Sequence, residues 1–260
     1  MPNLLQFDPG QFVGFFVIFT RLGGLMLIAP ALGDTNIPPQ IKIAFTFLLS
    51  LVFFPVVAAP DLGPNPDLGQ AGLMIITEFA VGLLMGFSLR LMFTAVSLAG
   101  EVAGFQMGIG VANIFDPGSE SQVSLIGQIN MIFALLLFVV MDGHHIMIKA
   151  LAGSYDVIAP GALVLKAEGM RFFVGLVGNL FLLGLQIGAP LIVALLAANL
   201  GMGLMARSVP QLNVIIVGFP FSIGLGLLLL IAGFPFFIQA LVVLNERVEM
   251  LLMSVLKMLS

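Results

Sequence analysis

From Phe172 to Met205, and again from Val214 to Leu244, the chain runs without a single charged side chain. A stretch of about 20 apolar residues is long enough to cross the hydrocarbon core of a bilayer, and in lipid the backbone must satisfy its own polar groups, as a helix does. Such segments therefore predict helices held in a membrane or packed among apolar subunits. Shorter apolar runs reach from about Gln11 to Ile28, Pro38 to Val57, Gln70 to Ala99 and Val123 to Met141, so roughly six candidate spans can be drawn. Hydrophobic residues make up 60% of the 260 and charged ones only 8%, against roughly a quarter charged in an ordinary soluble domain. So few polar groups cannot cover an exterior in water. The fold expected is an all-α membrane-complex protein built of long helical hairpins. Pro190, Pro220 and Pro235 fall inside the two longest segments; each removes a backbone donor and crowds the preceding turn, so kinks are expected there.

The punctuation between segments is uneven. Asp8-Pro9-Gly10 opens the first and Pro30 stops it, while Pro60, Pro64 and Pro66 mark a loop before the third. Met1 to Gly10 holds no Lys or Arg, which argues against a cleavable signal and keeps the first segment in the mature protein. The most polar stretch lies between Lys149 and Arg171, around Pro160-Gly161, and is the best candidate boundary. In the tail, Asn245 to Ser260, charged residues alternate with Met and Leu at helical spacing, an amphipathic helix end suited to a membrane surface or a partner.

Several function classes are disfavoured at once. Without cysteine there is no disulfide, thiol nucleophile or cysteine-ligated metal. A net charge of −4 with scattered basic residues leaves no footprint for nucleic acid. No nucleophile elbow, phosphate loop or zinc-protease motif occurs, so the chain reads as a non-enzyme without a cofactor. His144 and His145 are the only histidines. Adjacent side chains diverge on a helix and no second ligand set stands at metal spacing, so Asp142-Gly143-His144-His145 reads as a polar helix terminus and not a metal site.

The run from Gly100 to Pro117 is the most suggestive for function. It is too rich in glycine for a good helix and too apolar for an exposed loop, so it should be buried in protein or line a passage, as a gate would. Gly100, Gly104 and Gly108 recur every four residues, as do Gly82/Gly86 and Gly184/Gly188; small residues so spaced also let another helix approach closely. Phe105, Met107, Ile109, Val111, Ile114 and Phe115 are bulky apolar groups on this pliable backbone, able to fill a pore and move aside. Charges inside apolar segments, Arg21, Glu78, Arg90 and Glu101, each cost at least ~2.5 kcal/mol unpaired in lipid. Pairing in an interface, or a position outside the bilayer, is favoured over an ion pathway. Arg207, between the last two segments, is a further interface candidate.

Taken in order, Phe19-Thr20-Arg21-Leu22-Gly23-Gly24 with Ala29-Pro30, Pro38-Pro39-Gln40-Ile41-Lys42, the Gly100 to Pro117 run, Ile126-Gly127-Gln128, Asp142-Gly143-His144-His145 and the block from Ala198 to Val214 resemble the FliR family of type III secretion export gates, SctT in injectisomes. The resemblance covers nearly the whole chain. It implies a non-enzymatic core component of the flagellar protein export gate in the bacterial inner membrane, at the flagellar basal body. With FliP-like and FliQ-like subunits it would form a channel for unfolded export substrates, next to an FlhB-like subunit. It further implies a FliP-like part, residues 1–171, followed by a FliQ-like hairpin, residues 172–260, in a cone above the conventional membrane plane. The plug of such a gate carries over to Gly104, Phe105, Gln106, Met107, Gly108, Ile109, Gly110, Val111, Ala112, Asn113, Ile114, Phe115, Asp116 and Pro117. An injectisome gate shares this architecture and is the nearest alternative. A secondary transporter would need matched inverted repeats, and an intramembrane metalloenzyme would rest on His144 and His145.

Overall fold

A computed structural model describes residues 9–34, 37–57, 68–109, 124–164, 166–208 and 214–260. Among these residues every regular element is a helix: α1 (Pro9–Ile28), α2 (Pro39–Phe53), α3 (Leu68–Gln106), α4 (Leu125–Val140), α5 (Gly143–Val157), α6 (Ala167–Ser208) and α7 (Val214–Leu259). Their ends follow local chemistry. Proline opens α1 and α2, where a missing N–H costs nothing. Ser124 caps α4 by accepting from the Gly127 N–H. The chain breaks between α4 and α5 at Asp142, whose φ of 56° is left-handed.

Several expectations are corrected here. Of the six candidate spans, four helices among the described residues have the length and apolarity to cross a membrane, Gly10–Ile28, Gly69–Gln106, Ala167–Ser208 and Val217–Leu259, and α4 with α5 makes a fifth if the two count as one broken span. The 15 residues of α2 rise only about 22 Å, short of a ~30 Å hydrocarbon core. Helix α5 rises from a stretch read mainly as a polar boundary. The prolines at 190, 220 and 235 lie inside α6 and α7, within the long segments drawn across them. Glycine does not stop α3 at position 100, and the helix continues to Gln106.

That continuation has a packing cause. A Cβ built on Gly100 would lie 2.8 Å from the Gly127 backbone of α4, so the missing side chain is the condition for two helices to touch. Gly184 likewise meets the Ala95 carbonyl, at 2.9 Å from such a Cβ, and Gly86 meets that of Leu25 at 2.8 Å. A Cβ on Gly82 would collide with the Arg21 carbonyl, and one on Gly24 with that of Phe79. The spaced glycines thus serve close helix packing.

The chain divides into two compact units, one gathering residues 1–91, 142–176 and 246–260, the other 92–141 and 177–245. In the first, Ile18, Leu22 and Leu25 of α1, Met85 and Leu89 of α3 and Leu151 of α5 are fully buried. Phe15 meets Phe47 and Phe54 edge-on at 5.4 and 6.0 Å, joining α1 to α2. The amphipathic tail also belongs here: Val248, Leu252, Val255, Leu256 and Leu259 are buried in the chain's own core, with the Val164 N–H donating to the Leu259 carbonyl. Most of its apolar stripe thus packs within the chain, while Met250 and Met258 are exposed. In the second unit, Met107, Ile126 and Leu195 make a buried cluster with Leu191, Leu229 and Leu230 against it.

Candidate functional site: the end of α3 and a buried ion pair

The gate candidate begins on ordered helix. The Met107 N–H still bonds the Ala103 carbonyl at 2.9 Å, and the Gly108 N–H bonds that of Phe105 at 3.0 Å. Gly108 then turns left-handed with φ 82°, a conformation that only glycine adopts without cost, and a Cβ there would also strike the Phe219 ring. Gly104 is helical instead and packs toward Ser124 and Ile126; of these two glycines, only Gly108 bends the chain. Phe105 is 71% exposed whereas Met107 is fully buried. Opposite Met107 stands Gly226, where a Cβ would come within 2.6 Å of the Met107 Cγ, so the methionine fills a socket open only because α7 carries glycine there. Gly110, Val111, Ala112, Asn113, Ile114, Phe115, Asp116 and Pro117 lie outside the described residues.

Two polar residues not singled out from the sequence hold this end of α3. Asn199 Nδ2 donates to the Gln106 carbonyl at 3.2 Å, and Ser222 Oγ donates to Asn199 Oδ1 at 3.0 Å. Their signal was an amide and a hydroxyl in largely apolar stretches, where a buried polar group must find a partner. Close by, Gln106 Oε1 is buried without one.

In the other unit, Arg21 and Glu78 form a two-pronged pair. Arg21 Nε donates to Glu78 Oε2 at 2.6 Å and Nη2 to Oε1 at 2.9 Å. Two of the three remaining N–H groups are used as well, Nη1 donating to Ser154 Oγ at 2.9 Å and Nη2 to the Ile158 carbonyl at 3.0 Å. Glu78 Oε1 also accepts from the Gly161 N–H at 3.1 Å, and the Tyr155 ring lies 4.1 Å from Arg21 Cζ. Burial of these charges is tolerable because nearly every polar atom is answered. The partners Ser154 and Tyr155 sit in the stretch read as a boundary, and no spacing rule connects them to Arg21. Arg90, Glu101 and Arg207 are exposed, with Glu101 accepting from Ser97 Oγ at 3.1 Å; they are not part of the buried pair.

The two histidines do not diverge as expected. Their ring centroids are 4.2 Å apart, in the first turn of α5 after the left-handed Asp142. Asp142, His144 and His145 each offer a ligand atom within 4.8 Å of the others, the group among the described residues able to present three donors to a cation. Asp142 and His145 already bond each other at 3.1 Å and are 72% and 70% exposed, as a solvated helix start would be. A cavity of about 660 Å³ in the second unit is walled by Ile126, Phe133, Leu191, Phe234 and other apolar residues, with Asn130 as its polar side chain. Such walls offer no charge for holding an ion.

Known proteins resemble most of the chain. The family described as bacterial export proteins, family 1, matches residues 12–248. The flagellar biosynthetic protein FliR of Bacillus subtilis is 31% identical over 224 residues, 85% of either chain. That of Caulobacter vibrioides is 33% identical over 82% of this chain and 85% of its own, and that of Escherichia coli 30% identical over 85% and 84%. The chain belongs to the bacterial export proteins, family 1, and within them to the FliR family of flagellar biosynthetic proteins.

Proposed function

We propose that this chain is a non-enzymatic core subunit of the flagellar type III protein export gate, forming with FliP-like and FliQ-like subunits a channel for unfolded substrates. The observation that carries the reading is the family match across residues 12–248. The geometry supports it in two ways. The 42 and 46 residues of α6 and α7 have contour lengths of about 63 and 69 Å, roughly twice a bilayer core. Both also expose apolar side chains such as Phe181, Leu196, Leu228 and Ile231, a surface for neighbouring subunits in a cone that rises out of the membrane.

In this reading residues 1–171 are the FliP-like part and 172–260 the FliQ-like hairpin, in the bacterial inner membrane at the flagellar basal body beside an FlhB-like subunit. Residues Gly104 to Pro117 are the plug, with Phe105, Met107, Ile109, Val111, Ile114 and Phe115 as its apolar seal. Export energy comes from other subunits and the proton-motive force. Affinity-tagged chain, extracted in mild detergent, should bring down FliP-like and FliQ-like subunits together. Recovery of a monodisperse chain that binds a small solute would instead favour a transporter.

A further inference from the structure

We propose that the cavity of the second unit is a lipid site, in which one acyl chain of a membrane phospholipid lies along the walls with its ester carbonyl on the Asn130 amide. The proposal does not depend on the export reading. The cavity measures about 660 Å³, within the roughly 300–1,000 Å³ over which proteins enclose small organic ligands. Ala99 of α3, Ile126 and Phe133 of α4, Leu191 of α6 and Leu230 and Phe234 of α7 stand around it. Walls of this kind suit hydrocarbon. Water is a poor occupant, because a buried water needs about three polar partners and Asn130 is the polar side chain here. No single side chain of a neighbouring subunit is large enough to fill the space.

Asn130 selects the polar end of that ligand. The residue is 8% exposed, and among the described residues no hydrogen bond reaches its side chain. It sits where α4 meets α3, since a Cβ on Gly100 would come within 2.7 Å of its Nδ2. A buried amide without a partner is costly. An ester carbonyl answers it, while the methylenes beyond answer the apolar walls. The mouth of the cavity points to the same source. Ile129, Leu227, Ile231 and Phe236 line the cavity and are also exposed, so the opening lies on apolar surface. The last three belong to a helix with the length and apolarity to cross a membrane, where acyl chains are the surrounding solvent.

The test reconstitutes the full chain in phosphatidylcholine vesicles doped with a phosphatidylcholine whose acyl chain carries a photoactivatable diazirine, and maps the labelled residues. Ile126, which is buried, and Leu191 and Leu230 should be labelled alongside exposed residues such as Phe181 and Leu196 that any bilayer lipid reaches. Leu191→Trp combined with Leu230→Trp narrows the cavity and should abolish labelling of Ile126 while that of Phe181 persists. Asn130→Leu keeps the cavity but removes the amide, and should weaken labelling of Ile126 about two- to tenfold, the factor that one hydrogen bond carries. Labelling of Ile126 that is unchanged in the Trp pair overturns the proposal, and labelling unchanged in Asn130→Leu overturns the ester contact. Should the Trp pair fail to fold, the parent map decides by itself: labels confined to exposed residues overturn the site. Wall labelling that disappears when other subunits bind would show that a neighbouring chain fills the cavity, and would overturn it too.

Discussion

Arg21 of α1 and Glu78 of α3 face each other through two parallel hydrogen bonds, 2.6 and 2.9 Å long, with neither side chain exposed to solvent. A pair so enclosed constrains the fold more by what its breakage costs than by what its formation contributes, because either member alone becomes an unanswered buried charge. Arg21→Met or Glu78→Leu alone should destabilise the detergent-extracted chain by about 3–5 kcal/mol, seen as a lower melting temperature. The double variant should recover most of that loss; a double variant as unstable as the two single losses summed would contradict this account of the pair.

Tyr155 tests the same cluster from its other side. The ring lies against the Arg21 guanidinium, but its hydroxyl is buried with no hydrogen-bond partner. Tyr155→Phe keeps the ring and removes the orphan, so stability should hold or rise by about 1 kcal/mol. Tyr155→Leu gives up the cation–π contact and should fall by about 1–2 kcal/mol. Thermal unfolding of the two variants side by side measures the difference, and a clear loss in Tyr155→Phe would show that the hydroxyl is used.

Two glycines of the same helix should respond oppositely to alanine. A methyl on Gly82 runs into the Arg21 carbonyl, whereas one on Gly72 meets nothing within 4 Å. Gly82→Ala should cost about 1–3 kcal/mol by forcing α1 and α3 apart, and Gly72→Ala should be neutral or gain about 0.5–1 kcal/mol from helix propensity. Protease resistance and melting temperature report both, and equal losses would remove the close-packing explanation.

Much of the helical order was legible in the apolar segments, since lipid and apolar partners leave a chain little besides helix. What was not legible depended on distant contacts. Gly100 stays helical because Gly127 lies against it, and local glycine content cannot reveal that neighbour. Arg21 and Glu78 were visible as misplaced charges, but their pairing across 57 positions was not, nor was the help they receive from Ser154. Helix α5 was hidden by its own polar residues, which read as a boundary. Asn199 was hidden for the opposite reason: three scattered amides in a long apolar helix, Asn179, Gln186 and Asn199, do not tell which is used, and the use of Asn199 depends on a carbonyl 93 positions away.

The most direct test of the central claim is the conductance of the assembled gate lacking Gly108 to Asn113. Gly108 is where the chain turns out of α3, so the deletion begins beyond the helix and Met107 while removing much of the segment read as the seal. The account predicts complexes of normal composition that pass small ions freely where the parent is tight. Normal complexes whose conductance equals the parent's would contradict it.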